Sequence, residues 1–106
     1  MKIYELIQCE DNGIKIESKG LFASTNVIWA YLTHNGYKED SVTVKNHNRK
    51  DKDYLLTMMQ SPQAILVVHY EADDGLLNLL GWQTPAYNEY FRVITHEVRT
   101  SFGVGL

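Results

Sequence analysis

The segment Gln63–Gly75, QAILVVHYEADDG, constrains the fold more than any other part of the chain. Its first half is the most continuous apolar run in the sequence, and its second half places His69, Glu71 and Asp73 at alternate positions. An apolar run of this length, bounded by turn residues, is typical of a strand buried in a sheet. The alternation predicts that the strand then emerges into water with three ionisable side chains on one face. We expect this strand to be central in its sheet.

Composition predicts one small cytoplasmic domain, residues 1–106. With 44% hydrophobic and 22% charged residues, the chain can build a core without metal or disulfide support. A lone cysteine, Cys9, fits a reducing compartment. No apolar run reaches the roughly 18 to 20 residues that span a bilayer. Because Glu5, Glu10 and Asp11 interrupt the N-terminus, we expect neither a signal peptide nor a membrane partner.

Two elements in the first third of the chain have strong local signals. Lys2–Cys9 and the alternating Ile14–Glu17 predict two strands, joined by a tight turn because Asn-Gly suits the positive φ angles of a hairpin. Ser24–Asn26 offers N-caps for a helix that ends at Asn35-Gly36. The apolar residues of this helix recur at helical spacing: Val27, Ile28, Tyr31 and Leu32.

The middle of the chain predicts a strand and a short helix. Ser41–Lys45 is rich in β-branched residues and predicts a short strand. Asp53 is expected to cap a helix over Tyr54–Gln60, which ends at Ser61-Pro62 because a residue before proline disfavours helical dihedral angles. The strand Gln63–Ala72 follows.

The C-terminal third is harder to assign. Residues 76–82 suit either a strand or a short buried helix. After Thr84-Pro85, aromatic and aliphatic residues recur at helical spacing up to Phe102, and this spacing predicts a helix over residues 85–102. The β-branched residues within the same segment favour a strand instead.

Together these elements predict an α+β fold. We expect a two-layer sandwich, with a mainly antiparallel sheet of about four to five strands and about two to three helices packed on one face. The expected core is mostly aliphatic: Ile3, Leu6, Ile14, Ile16, Val27, Ile28, Leu32, Leu66, Val68, Ile94 and Val98.

His69, Glu71 and Asp73 are the strongest candidate for a ligand site. Side chains at alternate strand positions lie about 7 Å apart on one face, a spacing that can present ligands to a divalent cation or pair an acid with a base. The simpler interpretation is that the face is leaving the core, since Ile65 and Val67 precede them on it. No zinc, nucleophile-elbow or phosphate-loop motif occurs, so we expect no cofactor and no catalysis.

A basic segment provides the nucleic-acid alternative. Lys45, Arg49, Lys50 and Lys52 lie within eight residues and could contact phosphates. The chain as a whole has a net charge of −3, which makes nucleic-acid binding the weaker hypothesis because its affinity comes mostly from cations on phosphates. A polar loop is the alternative for this segment.

Aromatic and acidic residues near the C-terminus predict a protein-binding surface instead. Exposed Tyr and Trp are typical of protein interfaces, although the same rings could complete the core. The candidate contact residues are Trp82, Tyr87, Glu89, Tyr90, Glu71, Asp73 and Asp74.

The favoured function is therefore a non-catalytic, cytoplasmic protein-binding module, with self-association as a variant. In size, charge and lack of motifs, the chain is similar to small accessory proteins of bacteria and their phages, many of which inhibit or modulate a larger protein. The alternatives are a metal-dependent enzyme or ligand-binding domain using His69, Glu71 and Asp73, and a nucleic-acid-binding protein using the Lys45–Lys52 segment.

Overall fold

The computed structural model describes residues 1–34, 42–49, 51–71, 79–81 and 86–98. The elements within these ranges are β1 (Lys2–Cys9), β2 (Lys15–Phe22), α1 (Thr25–His34), β3 (Val42–Val44), α2 (Lys52–Met58), β4 (Leu66–Glu71) and β5 (Ala86–Glu97). These five strands form one open antiparallel sheet in the order β2-β1-β5-β4-β3. The expected α+β class and antiparallel sheet are therefore confirmed.

The N-terminal hairpin forms as predicted. Gly13 has a φ of 90°, and the turn is closed by backbone hydrogen bonds from Glu10 to the Ile14 carbonyl and from Gly13 to the Glu10 carbonyl, at 2.8 and 2.9 Å. The Asn12 side chain also accepts a hydrogen bond from the Ile14 amide at 3.0 Å. The turn residues therefore supply both the left-handed backbone and the local hydrogen bonds that a tight hairpin needs.

The strand β2 corrects the predicted core. Ile14 and Ile16 were expected to be buried, but their exposed fractions are 60% and 57%. An edge position does not by itself expose a strand, because Val42 and Val44 of the opposite edge strand are buried; β2 is an edge strand that pairs only with β1. Its register is also interrupted, because Ile16 and Lys19 are each an extra residue relative to β1. Such β-bulges break the two-residue alternation on which the burial prediction depended.

The helix α1 is confirmed, with a different buried stripe. Ser24 caps it by accepting a hydrogen bond from the Val27 amide at 3.3 Å. The predicted core residue Val27 is exposed, because the buried side chains are one position away on the helix surface. They follow the spacing three, one and three: Thr25, Ile28, Trp29 and Leu32. Among the described residues, no helix is long and apolar enough to cross a membrane.

The helix α2 begins two residues earlier than predicted. Asp51, not Asp53, is the N-cap: its backbone is extended and its side chain accepts a hydrogen bond from the Tyr54 amide at 2.9 Å. Asp53 instead lies in the first turn. Both aspartates precede the apolar residues at suitable distances, so spacing alone could not choose between the two caps.

The strand β4 lies in the middle of the segment Gln63–Gly75 and begins three residues later than the predicted strand Gln63–Ala72. It has a neighbour on each side, β3 and β5, but the middle position of the sheet belongs to β5. Leu66 and Val68 are buried as predicted, and Ile65 and Val67 alternate with them at partly buried positions.

The predicted helix over residues 85–102 is wrong for the part of that range that the structure describes. Residues Ala86–Glu97 form β5, which pairs with β1 on one side and β4 on the other. β1 pairs with residues 90–97 and β4 with residues 86–91, so every residue of β5 has a strand partner, and Phe91 and Val93 are buried at alternate positions. The β-branched residues Val93, Ile94 and Thr95 suit this pleated environment better than a helix.

One face of the sheet, here called the core face, carries the main apolar cluster. Leu6 lies opposite Val93, and Leu66 lies opposite Phe91, so these side chains share a face. The predicted core members Leu6, Ile28, Leu32, Leu66 and Val68 are confirmed, and Ile3, Ile94 and Val98 are only partly buried. Among the described residues, the cluster comprises Leu6, Ile28, Trp29, Leu32, Val42, Val44, Leu55, Met59, Leu66, Val68, Phe91 and Val93.

Candidate functional site

The predicted aromatic and acidic surface is divided by the strand geometry of β5. A helix would have placed Tyr87 and Tyr90 side by side, three residues apart. On the strand, Tyr87 and Glu89 lie on the core face, whereas Tyr90 lies on the opposite face, across from Cys9 and Val67. Tyr87 is 47% exposed, and Glu89 and Tyr90 are partly buried.

The structure does not show where the side chains of the other predicted contact residues lie. Trp82, Asp73 and Asp74 lie outside the described residues, as do all but three of residues 76–82. Glu71 is the last residue of β4, and its backbone pairs with Ala86. Their role in binding a protein stays a prediction.

His69 is held by its neighbour on β5. It lies opposite Asn88 in the register, and its Nδ1 atom shares a hydrogen bond of 3.0 Å with the Asn88 side-chain oxygen. It is exposed and continues the face of Ile65 and Val67. Over the described part of the chain, no three His, Cys, Asp or Glu side chains are grouped to hold a metal ion, and Asp73 lies outside that part.

The basic segment is bound to the rest of the protein at several points. The Lys45 ammonium donates to the Asp11 carbonyl. Arg49 donates through Nε to the Asp51 carboxylate at 3.0 Å, and its guanidinium lies 4.2 Å from the centre of the Tyr54 ring. Lys52 is 6.0 Å from the Trp29 ring. Lys50 lies outside the described residues.

His47 and Tyr54 complete the structure of this loop. The Tyr54 hydroxyl and His47 Nδ1 share a hydrogen bond of 2.7 Å. The hydrogen bond from the Tyr54 amide, followed by that from Arg49, lowers the pKa of the Asp51 carboxyl. Arg49 therefore covers the aromatic face that a nucleic-acid base would stack on, and its charge is paired with a carboxylate.

A polar cluster on the face opposite the core joins three strands. The Glu5 carboxylate accepts a hydrogen bond from the Ser18 hydroxyl at 2.6 Å and lies 3.0 Å from His96 Nε2. The hydrogen bonds from Ser18 and then from His96 lower the pKa of the Glu5 carboxyl. A nucleophilic triad needs the imidazole against the hydroxyl, whereas here the carboxylate separates the two groups. The cluster is therefore arranged to bind strands together.

The feature that the sequence did not predict is a set of exposed aliphatic side chains on the hairpin. We call it the hairpin surface and define it as Ile14, Ile16 and Leu21, whose exposed fractions lie between 57% and 63%. The alternation had assigned Ile14 and Ile16 to the core, and the bulge at Ile16 in the edge strand β2 interrupts that alternation. The lysines Lys15 and Lys19 were the available signal, since lysine is common on edge strands.

The tip of the hairpin is tied to the sheet by two cations. Arg92 donates to the Gly13 carbonyl at 3.2 Å and to the Pro62 carbonyl at 3.3 Å. Lys45 donates to the Asp11 carbonyl. Three segments that are distant in sequence therefore meet at the start of β2, next to the hairpin surface.

Comparisons with known proteins add no relative: the chain matches no protein-family model, and no curated protein or solved structure is significantly similar to it.

Proposed function

We propose that this chain is a non-catalytic protein-binding module, and that the hairpin surface contacts its partner. The observation that carries the proposal is the exposure of three large aliphatic side chains, each more than half exposed, along one edge strand of eight residues and the turn before it. Single exposed aliphatic residues are common, but a group of them on one free edge is typical of a contact site.

The size of the expected gain supports this interpretation. Full burial of an isoleucine or leucine side chain contributes about 1.5–3 kcal/mol. Because roughly three-fifths of Ile14, Ile16 and Leu21 is exposed, a partner that covers all three would gain several kcal/mol before the cost of association. Because association itself costs about 4–15 kcal/mol, a complex would need further contacts around the hairpin surface.

We propose that the partner packs on these side chains and does not extend the sheet. The bulges at Ile16 and Lys19 interrupt the regular spacing of outward amides and carbonyls on β2. Lys15 and Lys19 also place charges along that edge. Bulges and lysines are devices that prevent edge-to-edge pairing, so a discrete complex fits this edge better than open-ended association.

The proposal also covers the packing of the helices, the cellular location and the kind of partner. We propose that α1 and α2 form a second layer on the core face within a single domain, which leaves the hairpin surface free. The buried, unpaired thiol of Cys9 supports a cytoplasmic location. An inhibitor or modulator of a larger bacterial or phage protein is the kind of activity that a small module without catalytic groups would have.

Affinity capture from extracts of the native cell, using matched variants, tests the proposal. The test variant carries Ile14→Ser, Ile16→Ser and Leu21→Ser. The control is Val27→Ser, which changes an exposed aliphatic residue on α1 instead. We expect the wild type and the control to retain the same specific partner and the triple variant to lose it while remaining folded.

Two outcomes would contradict this location. Retention of the partner by the triple variant, with loss in Tyr87→Ser, would move the contact to the C-terminal aromatic and acidic residues. A native mass of twice the chain, reduced to one chain by the triple substitution, would identify a second copy as the occupant. The metal and nucleic-acid hypotheses stay predictions. The hydrogen bonds of His69 with Asn88 and of Arg49 with Asp51 make these side chains weaker candidates for binding a metal or a phosphate.

A further inference from the structure

We infer that the hairpin tip, residues 10–14, is a strap that Arg92 and Lys45 fasten over the sheet, and that its local release uncovers Cys9. This local opening does not depend on which partner the hairpin surface binds.

The first observation is that Cys9 is buried away from the main core. Its exposed fraction is 2%, yet it is not a member of the core cluster. In the register, Cys9 lies opposite Tyr90 and Lys15, and the neighbouring Ile7 lies opposite Arg92. These side chains lie on the face opposite the core face, so the side chains of α1 and α2 in the core cluster are on the other side of the sheet from Cys9.

The second observation is that the tip folds over this face. A Cβ atom at Gly13 would lie 3.6 Å from Ile65 Cδ1 and 3.7 Å from Arg92 Cδ, so the turn is in contact with side chains of two other strand segments. The tip begins at Glu10, directly after Cys9. Its contacts with Ile65 and Arg92 are on the face of the sheet on which Cys9 is buried.

The third observation is the nature of the fastening. Arg92 and Lys45 hold the tip through backbone carbonyls of Gly13 and Asp11, and Arg92 also holds the Pro62 carbonyl. Hydrogen bonds from charged donors are stronger than neutral ones, but the tip residues other than Gly13 are exposed. A short polar segment held by a few such bonds is the kind of unit that opens without global unfolding.

The chemistry at Cys9 gives a readout of opening. Burial raises the pKa of its thiol, while the charges of Arg92 and Lys45 act in the opposite direction. Opening removes the burial and admits a reagent, so the labelling rate of the single cysteine reports the open population. No modification in the cell is implied, and the thiol serves only as a probe.

The experiment measures labelling of the full chain by dithiobis(nitrobenzoate) in increasing concentrations of urea. Arg92→Met and Lys45→Met keep aliphatic stems but remove the donors, and Arg49→Met is the matched control because its cation is bonded to Asp51. We expect each test variant to label at least about tenfold faster than the wild type, as loss of a charged hydrogen bond predicts. Labelling of the wild type should depend weakly on urea, because local opening exposes little surface.

The inference would be overturned by labelling that follows global unfolding, with the full urea dependence, in the wild type and in both test variants alike. It would also be overturned if Arg49→Met accelerated labelling as much as Lys45→Met. Should Arg92→Met fail to fold, Asn12→Ala replaces it, since this exposed change removes only the hydrogen bond to the Ile14 amide within the tip. Unchanged labelling in both Lys45→Met and Asn12→Ala would then refute the strap.

Discussion

The strands β2 and β5 belong to one sheet, but large apolar side chains are buried in β5 and exposed in β2. In β5, which lies between β1 and β4, Phe91 and Val93 are almost completely buried. In β2, which has one neighbour, Ile16 and Leu21 are more than half exposed. The difference shows that an aliphatic pattern indicates a strand, whereas burial depends on the face that a side chain occupies: Phe91 and Val93 lie on the core face, and Leu21 lies opposite Glu5 on the other face.

The largest predicted effect tests the central strand. Phe91→Ala removes a buried ring from the core cluster and should lower the free energy of unfolding by about 3–5 kcal/mol. Urea denaturation followed by circular dichroism measures it, with Tyr87→Ala as the exposed control on the same strand. A loss below about 1 kcal/mol would mean that β5 is not the centre of the packed structure.

A smaller effect is expected from the backbone of the edge strand. Gly20 follows the bulged Lys19 with a φ of 117°, a conformation that L-residues rarely adopt, although there is open space around it. Gly20→Ala should therefore destabilise the protein by roughly 1–3 kcal/mol through strain alone. The same urea titration measures the change. A neutral result would show that the edge strand can rearrange where the centre cannot.

The Glu5 carboxylate joins the two regions, since it contacts Ser18 on β2 and His96 on β5. Its pKa is lower in the folded protein than the ordinary value of 4.5. The stabilisation it contributes is therefore present above the unfolded pKa and is lost as pH falls through the lowered folded pKa. The urea midpoint should fall with acidification across that interval, and less steeply in Glu5→Gln. An identical pH dependence in the two proteins would contradict this role.

The smallest stability effect belongs to the hairpin surface. Ile14→Ser, Ile16→Ser and Leu21→Ser should each lower the free energy of unfolding by no more than about 1 kcal/mol, because these side chains are already more than half exposed. Their effect should appear in partner capture instead. A large loss of stability in any of them would show that the edge contributes to the core after all, and would weaken the proposed contact surface.

Much of the fold could be predicted from local signals. Local interactions explain three of the elements. Turn residues close the hairpin, Ser24 caps the helix α1, and continuous apolar character marks the strand at Leu66–Val68. The region after residue 85 could not be predicted in this way, because helical spacing and β-branched residues favoured different structures. Pairing on both sides decided in favour of the strand β5.

The candidate site was less predictable than the fold. Tyr87 and Tyr90 would share one surface only on a helix, and the strand separates them onto two faces. The hairpin surface was missed for a different reason: Ile14 and Ile16 match the pattern of a buried strand in the sequence but are exposed in the structure. The contacts of Arg92 with Gly13 and Pro62 join positions far apart in the chain, and no local pattern indicates them.

The sequence by itself determined where the hairpin turns and where α1 begins, because turn and cap interactions act between residues a few positions apart. Only the tertiary structure decided that β5 is central, that β2 is an edge, and that the hairpin tip is tied down by Arg92 and Lys45. Strand order and long-range hydrogen bonds depend on contacts between distant segments. The free energy of these contacts is distributed over many residues, so no short sequence pattern indicates them.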